Sequence, residues 1–385
     1  MHILEVPSFF HPYGGLFCLD QAKALKGLGH EVRILSNVQL GATIGLRDYV
    51  VRPYHRFVHE MEGVTVYQSY QRGLPRMVHH NVERWVGIVR SMFRDYVKRH
   101  GKPDVLHAHC AKWAGYTAML IGEEYGIPYV ITEHLPLMLL EQEFGKAPSD
   151  AWQIPLLKQA YERAACVIPV SEELVDDIAC YYGKGYRWQY VSNTIDTGFF
   201  HYQRREPKEG RAFRFCCLAD YYYRKGYDVL FEAMRQLQQS GVSIELHIAG
   251  LFTDSRACRT AIENLGLKDV TCYGRLDKKG VRDLLYRADA LVLASRSEVQ
   301  PLVLLEAMST GIPVVSTECV PRCQRLSGCT IVPIGDAEAL SQAMLQVADR
   351  TESDRKQYSE QVSQLASPDI VGRQLEAIFN EIVKS

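Results

Sequence analysis

Short runs of β-branched and apolar residues alternate along this chain with longer segments in which apolar residues recur at helical spacing. Strands are expected at 3–6, 31–35, 64–67, 104–108, 128–132, 166–170 and 188–192, with helices at 16–28, 78–100, 114–125, 155–164 and 172–182. Gly29 supplies the stop for the first helix. A polar stretch, His-Tyr-Gln-Arg-Arg-Glu-Pro-Lys-Glu-Gly-Arg-Ala at 201–212, then interrupts the pattern. Beyond it the alternation resumes, with strands near 213–218, 243–249, 270–273, 290–294, 313–316 and 330–333 and helices near 227–239, 278–287, 301–309 and 336–349. A last amphipathic helix, 369–384, carries Ile370, Leu375, Ile378, Phe379 and Ile382 on one side.

Strand and helix in alternation predict an α/β fold with parallel sheets covered on both faces. At 385 residues the chain is too long for one core, and the polar stretch marks the boundary. The expected organisation is a Rossmann-like domain over 1–204, a second over 205–366, and a helix 367–385 packing back on the first. In two doubly wound units the ligands lie outside the carboxyl ends of the strands, which predicts a cleft between them.

Composition narrows the function classes. A formal net charge of -1 gives no global attraction to nucleic acid, and 47% hydrophobic with 23% charged residues is that of a folded globular protein. Eleven cysteines lack the spacing of a disulfide framework. Cys319, Cys323 and Cys329 have no fourth ligand nearby in sequence, so structural thiols are expected there and not zinc. The start, Met-His-Ile-Leu-Glu-Val, reads as a strand and not as a signal peptide, and no apolar run reaches membrane-spanning length, so a cytoplasmic protein is expected. The segment 76–102 adds a further possibility. It holds seven Arg or Lys against Glu83 and Asp95, with Val78, Val82, Trp85, Val86, Val89, Phe93, Tyr96 and Val97 at helical spacing. Such a helix either buries its apolar side in a core or lies on an anionic membrane surface.

The most informative segment is Ser295-Arg-Ser-Glu298-Val-Gln-Pro301-Leu-Val-Leu-Leu-Glu306-Ala-Met-Ser-Thr-Gly311-Ile-Pro313-Val-Val, directly after an apolar strand. Pro301 suits the first position of a helix, which places Glu298 in the loop and Glu306 in the helix. Free N–H groups at that helix start would receive an anionic diphosphate, and the Glu306 carboxylate could accept from two adjacent ribose hydroxyls.

These residues resemble glycosyltransferase family four, retaining enzymes of the GT-B fold, whose signature is two glutamates separated by seven residues, then Glu-Ala-Met, Gly and Pro-Val-Val. The match falls on Glu298, Glu306, Ala307, Met308, Gly311, Pro313, Val314 and Val315. By that resemblance Glu298 contacts the donor sugar and Glu306 the ribose diol. Pro12-Tyr-Gly14-Gly15 is similar to the family's glycine-rich loop near donor phosphate and acceptor. Asp104-Val-Leu-His107-Ala-His109 and Ile127 to His134 look like its two strand ends, with His109 bordering the reacting sugar. Lys225-Gly226 matches the lysine that neutralises the diphosphate, and Tyr273-Gly274 the backbone set against the nucleobase.

Where the family has Gly-Arg-Leu, this chain has Leu218-Ala219-Asp220, and Arg224 is the nearest substitute for the missing arginine. The glycines usual after the first glutamate are replaced by Val299-Gln300-Pro301. The implied activity is metal-independent transfer of a sugar from a nucleotide-diphosphate donor to a saccharide or lipid-linked acceptor, as in assembly of a bacterial surface polysaccharide, with no cofactor. The competing readings are a nucleotide-sugar epimerase or hydrolase on the same fold and a non-catalytic subunit of a glycan assembly complex.

Overall fold

A computed structural model describes the chain apart from residues 13, 42–45, 52–53, 143–150, 205–209, 348–351 and 385. Two compact units emerge, Met1–Thr194 with Pro368–Ser385, and Ile195–Ser367. The boundary lies earlier than the polar stretch suggests. Ile195 and Phe200 are buried in the second unit's core, and Ser309 donates from its hydroxyl to the Phe200 carbonyl, so these residues are anchored before the exposed chain begins. Part of that expected linker, 205–209, lies outside the described residues.

In the first unit, β1 (His2–Pro7), β2 (Glu31–Leu40), β3 (His55–Met61), β4 (Val64–Arg72), β5 (Val105–His109), β6 (Tyr129–Glu133) and β7 (Cys166–Pro169) form one sheet in the order β3-β4-β2-β1-β5-β6-β7. All neighbours are parallel except the hairpin β3–β4, turned by Glu62 and Gly63, both at positive φ. The sequence pattern misses β3 because it is an edge strand with no buried face. The expected strand at 188–192 reduces to one bridge, Val167 with Trp188. The helix expected at 172–182 is two short pieces, Glu173–Asp177 and Ala179–Tyr182.

The apolar residues of the basic helix, now Val78–His100, face inward: Val82, Trp85, Val86, Val89, Phe93 and Tyr96 are buried. That decides between its two readings for the apolar side, which belongs to the core, and leaves only the charged side for any membrane surface. Among the described residues no helix is long and apolar enough to cross a membrane. The final helix, Pro368–Lys384, packs on the helix Phe17–Gly27 of the same unit. Gly372 allows the approach, since a Cβ there would sit 3.2 Å from the Ala24 carbonyl oxygen.

The second unit continues with β8 (Phe213–Leu218), β9 (Ile244–Ala249), β10 (Val270–Cys272), β11 (Ala290–Leu293), β12 (Val314–Thr317) and β13 (Cys329–Val332), all parallel, in the order β10-β9-β8-β11-β12-β13. Helices Arg256–Asn264 and Glu352–Ala366 were not expected; the first buries only Cys258, too weak an apolar stripe to read, and Ser255 caps it by accepting from Cys258 N at 3.3 Å. Pro301 occupies the capping position before the helix Leu302–Ser309 and not its first turn.

Each sheet has one point where the chain reverses its direction of growth, between β1 and β5 in the first and between β8 and β11 in the second. The loops leaving the carboxyl ends of two such strands diverge, opening a crevice that side chains can line.

Candidate active site

At the switch point of the second unit the loops after β8 and β11 are tied together. Arg296 N donates to Arg224 O at 2.7 Å, and the Arg296 guanidinium makes a two-point pair with Asp228 at 2.9 and 2.7 Å while lying over the Tyr223 ring. The Arg296 pair holds the Asp228 carboxyl below its usual range. Gly226 makes the approach possible: its φ is 65°, and a Cβ there would meet the Ala294 carbonyl oxygen at 1.9 Å.

This clamp brings three of the expected site residues together. Lys225 Nζ donates to Glu298 Oε1 at 2.5 Å, Ser295 Oγ donates to the same oxygen at 2.7 Å, and Arg224 Nη1 stands 3.9 Å from Glu298 Oε2. The Glu298 side chain is only 7% exposed, so these partners, more than water, satisfy its oxygens. The lysine and the first glutamate of the sequence signature are thus one ion pair. Ser295 was not anticipated, although it lies two residues past β11 and opens the signature segment.

Glu306, one helix turn and more beyond, does not join that cluster. It lines a cavity of about 260 Å³ with Leu218, Ala219, Asp220, Gly250 and Arg275 among others. Asp220, in the segment that replaces the family's Gly-Arg-Leu, accepts from Leu251 N at 2.8 Å and so fixes the loop after β9. Gly274 is buried behind the cavity, its N–H given to Thr253 Oγ1 at 3.1 Å and its carbonyl accepting from Gly250 N at 2.9 Å. The residue that reaches the cavity is its neighbour Arg275, an exposed cation that sequence reading passed over.

The remaining expected residues, Gly14, Gly15 and His109, line a cavity of about 300 Å³ in the first unit, with Phe9, Phe17, Cys18, Cys110, His134, Leu135, Pro136 and Leu139. Gly14 is required by space: a Cβ would lie 2.5 Å from Phe10 N. Tyr13, just before Gly14, is outside the described residues. His109 ends β5 and spends both ring nitrogens inside the protein, Nε2 on Glu5 Oε2 at 2.7 Å and Nδ1 on His134 Nε2 at 3.3 Å. No ring nitrogen of His109 is left over for a sugar. Glu5, fully buried in β1, also accepts from His107 Nδ1 at 2.9 Å, and His107 Nε2 meets Thr132 Oγ1 at 2.6 Å.

Burial alone would raise the Glu5 carboxyl, but the charges and hydrogen bonds of His107 and His109 overcome it and hold it at about 2, against an ordinary 4.5. Burial, reinforced by His107, lowers His109. A carboxyl depressed on folding stabilises the protein above its unfolded value and loses that contribution as pH falls toward the folded one. Unfolding free energy is therefore expected to decline between about pH 4.5 and 2, and Glu5→Gln to flatten that limb in denaturant titrations taken across the range; an unchanged slope would contradict the assignment.

Among the described residues, Glu5, His107 and His109 are also the group whose ligand atoms lie close enough together, within 4.8 Å, to hold a metal ion. Their mutual hydrogen bonds already satisfy the carboxylate. Cys319, Cys323 and Cys329 do not assemble into such a group; Cys319 donates to Ser295 O at 3.3 Å.

Two family models match the chain. Residues 15–194 match "Glycosyl transferase 4-like domain" and residues 212–350 match "Glycosyl transferases group 1". The chain is a group 1 glycosyltransferase. It is 27% identical over 336 residues to TuaC of Bacillus subtilis, assigned as a teichuronic acid biosynthesis glycosyltransferase, covering 81% of this chain and 78% of that one. In fold it is similar to sucrose-phosphate synthase from Thermosynechococcus elongatus, with a TM-score of 0.79 at 17% identity over 100% of both chains. It is likewise similar to HepE of Anabaena, solved in complex with UDP, with a TM-score of 0.71 at 15% identity over 99% of this chain and 100% of that one. The two Rossmann-like units of this glycosyltransferase are those of the GT-B fold.

Proposed function

We propose that this glycosyltransferase moves a sugar from a nucleotide-diphosphate donor to a saccharide or lipid-linked saccharide, with retention of configuration and without a metal, in the building of a bacterial surface polysaccharide. The observation that carries the reading is the Lys225–Glu298 pair held at the second unit's switch point, with Glu306 in the adjoining cavity. The Glu306 carboxylate accepts from the two ribose hydroxyls, and the wall backed by Gly274 receives the base. Lys225, with Arg224, meets the diphosphate, where negative charge grows as the glycosidic bond breaks.

In the unliganded pair Lys225 is neutralised by Glu298. Arrival of the phosphates gives the ammonium a new partner and releases Glu298 to hold the sugar's hydroxyls, so donor binding itself arms the site. The acceptor hydroxyl then attacks from the face the leaving group departs, and its proton goes to the departing phosphate. Gly14, Gly15 and the histidines of the first unit form the wall for sugar or acceptor. Support comes from TuaC and from HepE, whose solved complexes include one with UDP-glucose.

The test is the product's anomeric configuration, read by NMR, in reactions run with and without EDTA. Retained configuration at an unchanged rate is expected; inversion, or loss of activity to the chelator, would contradict it. Donor converted as fast without any acceptor would instead indicate an epimerase or hydrolase.

A further inference from the structure

Two residues that line the first unit's cavity, His109 and His134, belong to a buried polar chain. It starts at Glu5, placed opposite His107 by the β1–β5 register and fully enclosed. From its carboxylate it runs through His109 to His134, whose ring stacks against Phe17 with centroids 4.9 Å apart. It ends at His134 Nδ1, which is buried and has no hydrogen-bond partner among the described residues.

The protons along this chain follow from its first member. An ionised carboxylate only accepts, so the proton on the His109–Glu5 bond sits on His109 Nε2. Burial, with His107 beside it, lowers His109 and so favours its neutral ring, in which Nδ1 is a lone pair. His134 Nε2 must then donate, and His134 Nδ1 must carry a lone pair in turn. A buried acceptor without a donor is costly and uncommon in a native protein, and here it belongs to a residue lining a cavity with His109, Gly14 and Gly15. A donor entering the cavity, such as a hydroxyl, would satisfy it.

We propose that Glu5 is a positioning residue: through His109 it sets the tautomer of His134, so that His134 Nδ1 accepts a hydrogen bond from a hydroxyl of the saccharide that enters this cavity. The proposal rests on the reading that the first unit receives sugar or acceptor. Replacing Glu5 by Gln supplies a donor as well as an acceptor, lets the relay run in either direction, and mixes the His134 tautomers. Glu5→Asp keeps an acceptor and restores part of the function.

Long-range proton–nitrogen NMR on the ¹⁵N-histidine-labelled full chain at pH 7 tests it, with the His134 signals assigned by their loss in His134→Gln. The expected result is a His134 protonated at Nε2 and bare at Nδ1; a proton on Nδ1 in the wild-type protein overturns the proposal. In kinetics, Glu5→Gln is expected to lower kcat/KM about tenfold or more, the scale of one lost hydrogen bond, with the Kd for free nucleotide unchanged. A rise in the donor's KM alone places the hydroxyl on the donor sugar, and a rise in the acceptor's alone places it on the acceptor. Unchanged kcat/KM with an unmixed His134 tautomer overturns the proposal. The wild-type tautomer is readable even if every Glu5 variant fails to fold. It is equally independent of donor binding, so failure of the transferase reading would show separately, as absence of nucleotide binding.

Discussion

Lys225→Met is expected to reduce the transfer rate by roughly 10²–10³, the usual cost of removing one group that stabilises charge developing in a transition state. Two losses combine in that number. On the proposed placement the diphosphate loses the less exposed of the two basic residues beside Glu298, since the Lys225 side chain is 14% exposed and that of Arg224 38%. Glu298 meanwhile keeps Ser295 but loses its ion pair with Lys225 and the positioning that pair gives. The mutant should therefore hold the sugar less firmly as well as release the phosphate more slowly. Initial rates of nucleoside-diphosphate release at saturating donor measure the effect, and a rate within tenfold of wild type would mean that Lys225 serves only the unliganded pair.

Gly226→Ala is expected to destabilise the second unit by on the order of 4 kcal/mol. The left-handed backbone contributes about 1–2 kcal/mol for any residue with a Cβ, and displacing the Ala294 carbonyl adds an overpacking cost of about 1–3 kcal/mol. Because that carbonyl leads directly into the Ser295–Glu298 loop, the displacement also parts Lys225 from Glu298. Gly241→Ala is the control: its φ of 76° is similar, but no atom lies within 4 Å of the added Cβ. Thermal unfolding should separate the two variants, with Gly226→Ala lower by several degrees and Gly241→Ala losing only the backbone contribution. Equal losses would show that the close approach to Ala294 has no energetic weight.

These residues were readable in the sequence because their spacing follows from local structure. Glu298 and Lys225 each sit in a short strand-to-helix connection and Glu306 in the first turns of the helix that follows, where a short motif reports a fixed geometry. Glu5 was not readable. It looks like one more residue of an apolar strand, and its partners His107 and His109 lie more than a hundred positions away, joined to it only by the pairing of β1 with β5. For the same reason the sequence singles out His109 but not its engagement on both nitrogens. Strand β3 and the helix Arg256–Asn264 escaped notice because each buries too little to leave a periodic apolar signal. Asp220 was noticed as a departure, but its bond to Leu251 N, which fixes the loop edging the cavity, depends on the β8–β9 neighbours and appears only in three dimensions.

Calorimetric titration of the wild-type protein and Glu306→Ala with UDP-, GDP- and ADP-sugars asks whether Glu306 holds the nucleotide. One donor class is expected to bind the wild-type protein, and the variant to weaken it roughly a hundredfold, the loss of two charge-assisted hydrogen bonds at about 1.5 kcal/mol each. Equal affinity in the two proteins, or no binding of any donor, would contradict the placement of the nucleotide in the cavity lined by Glu306.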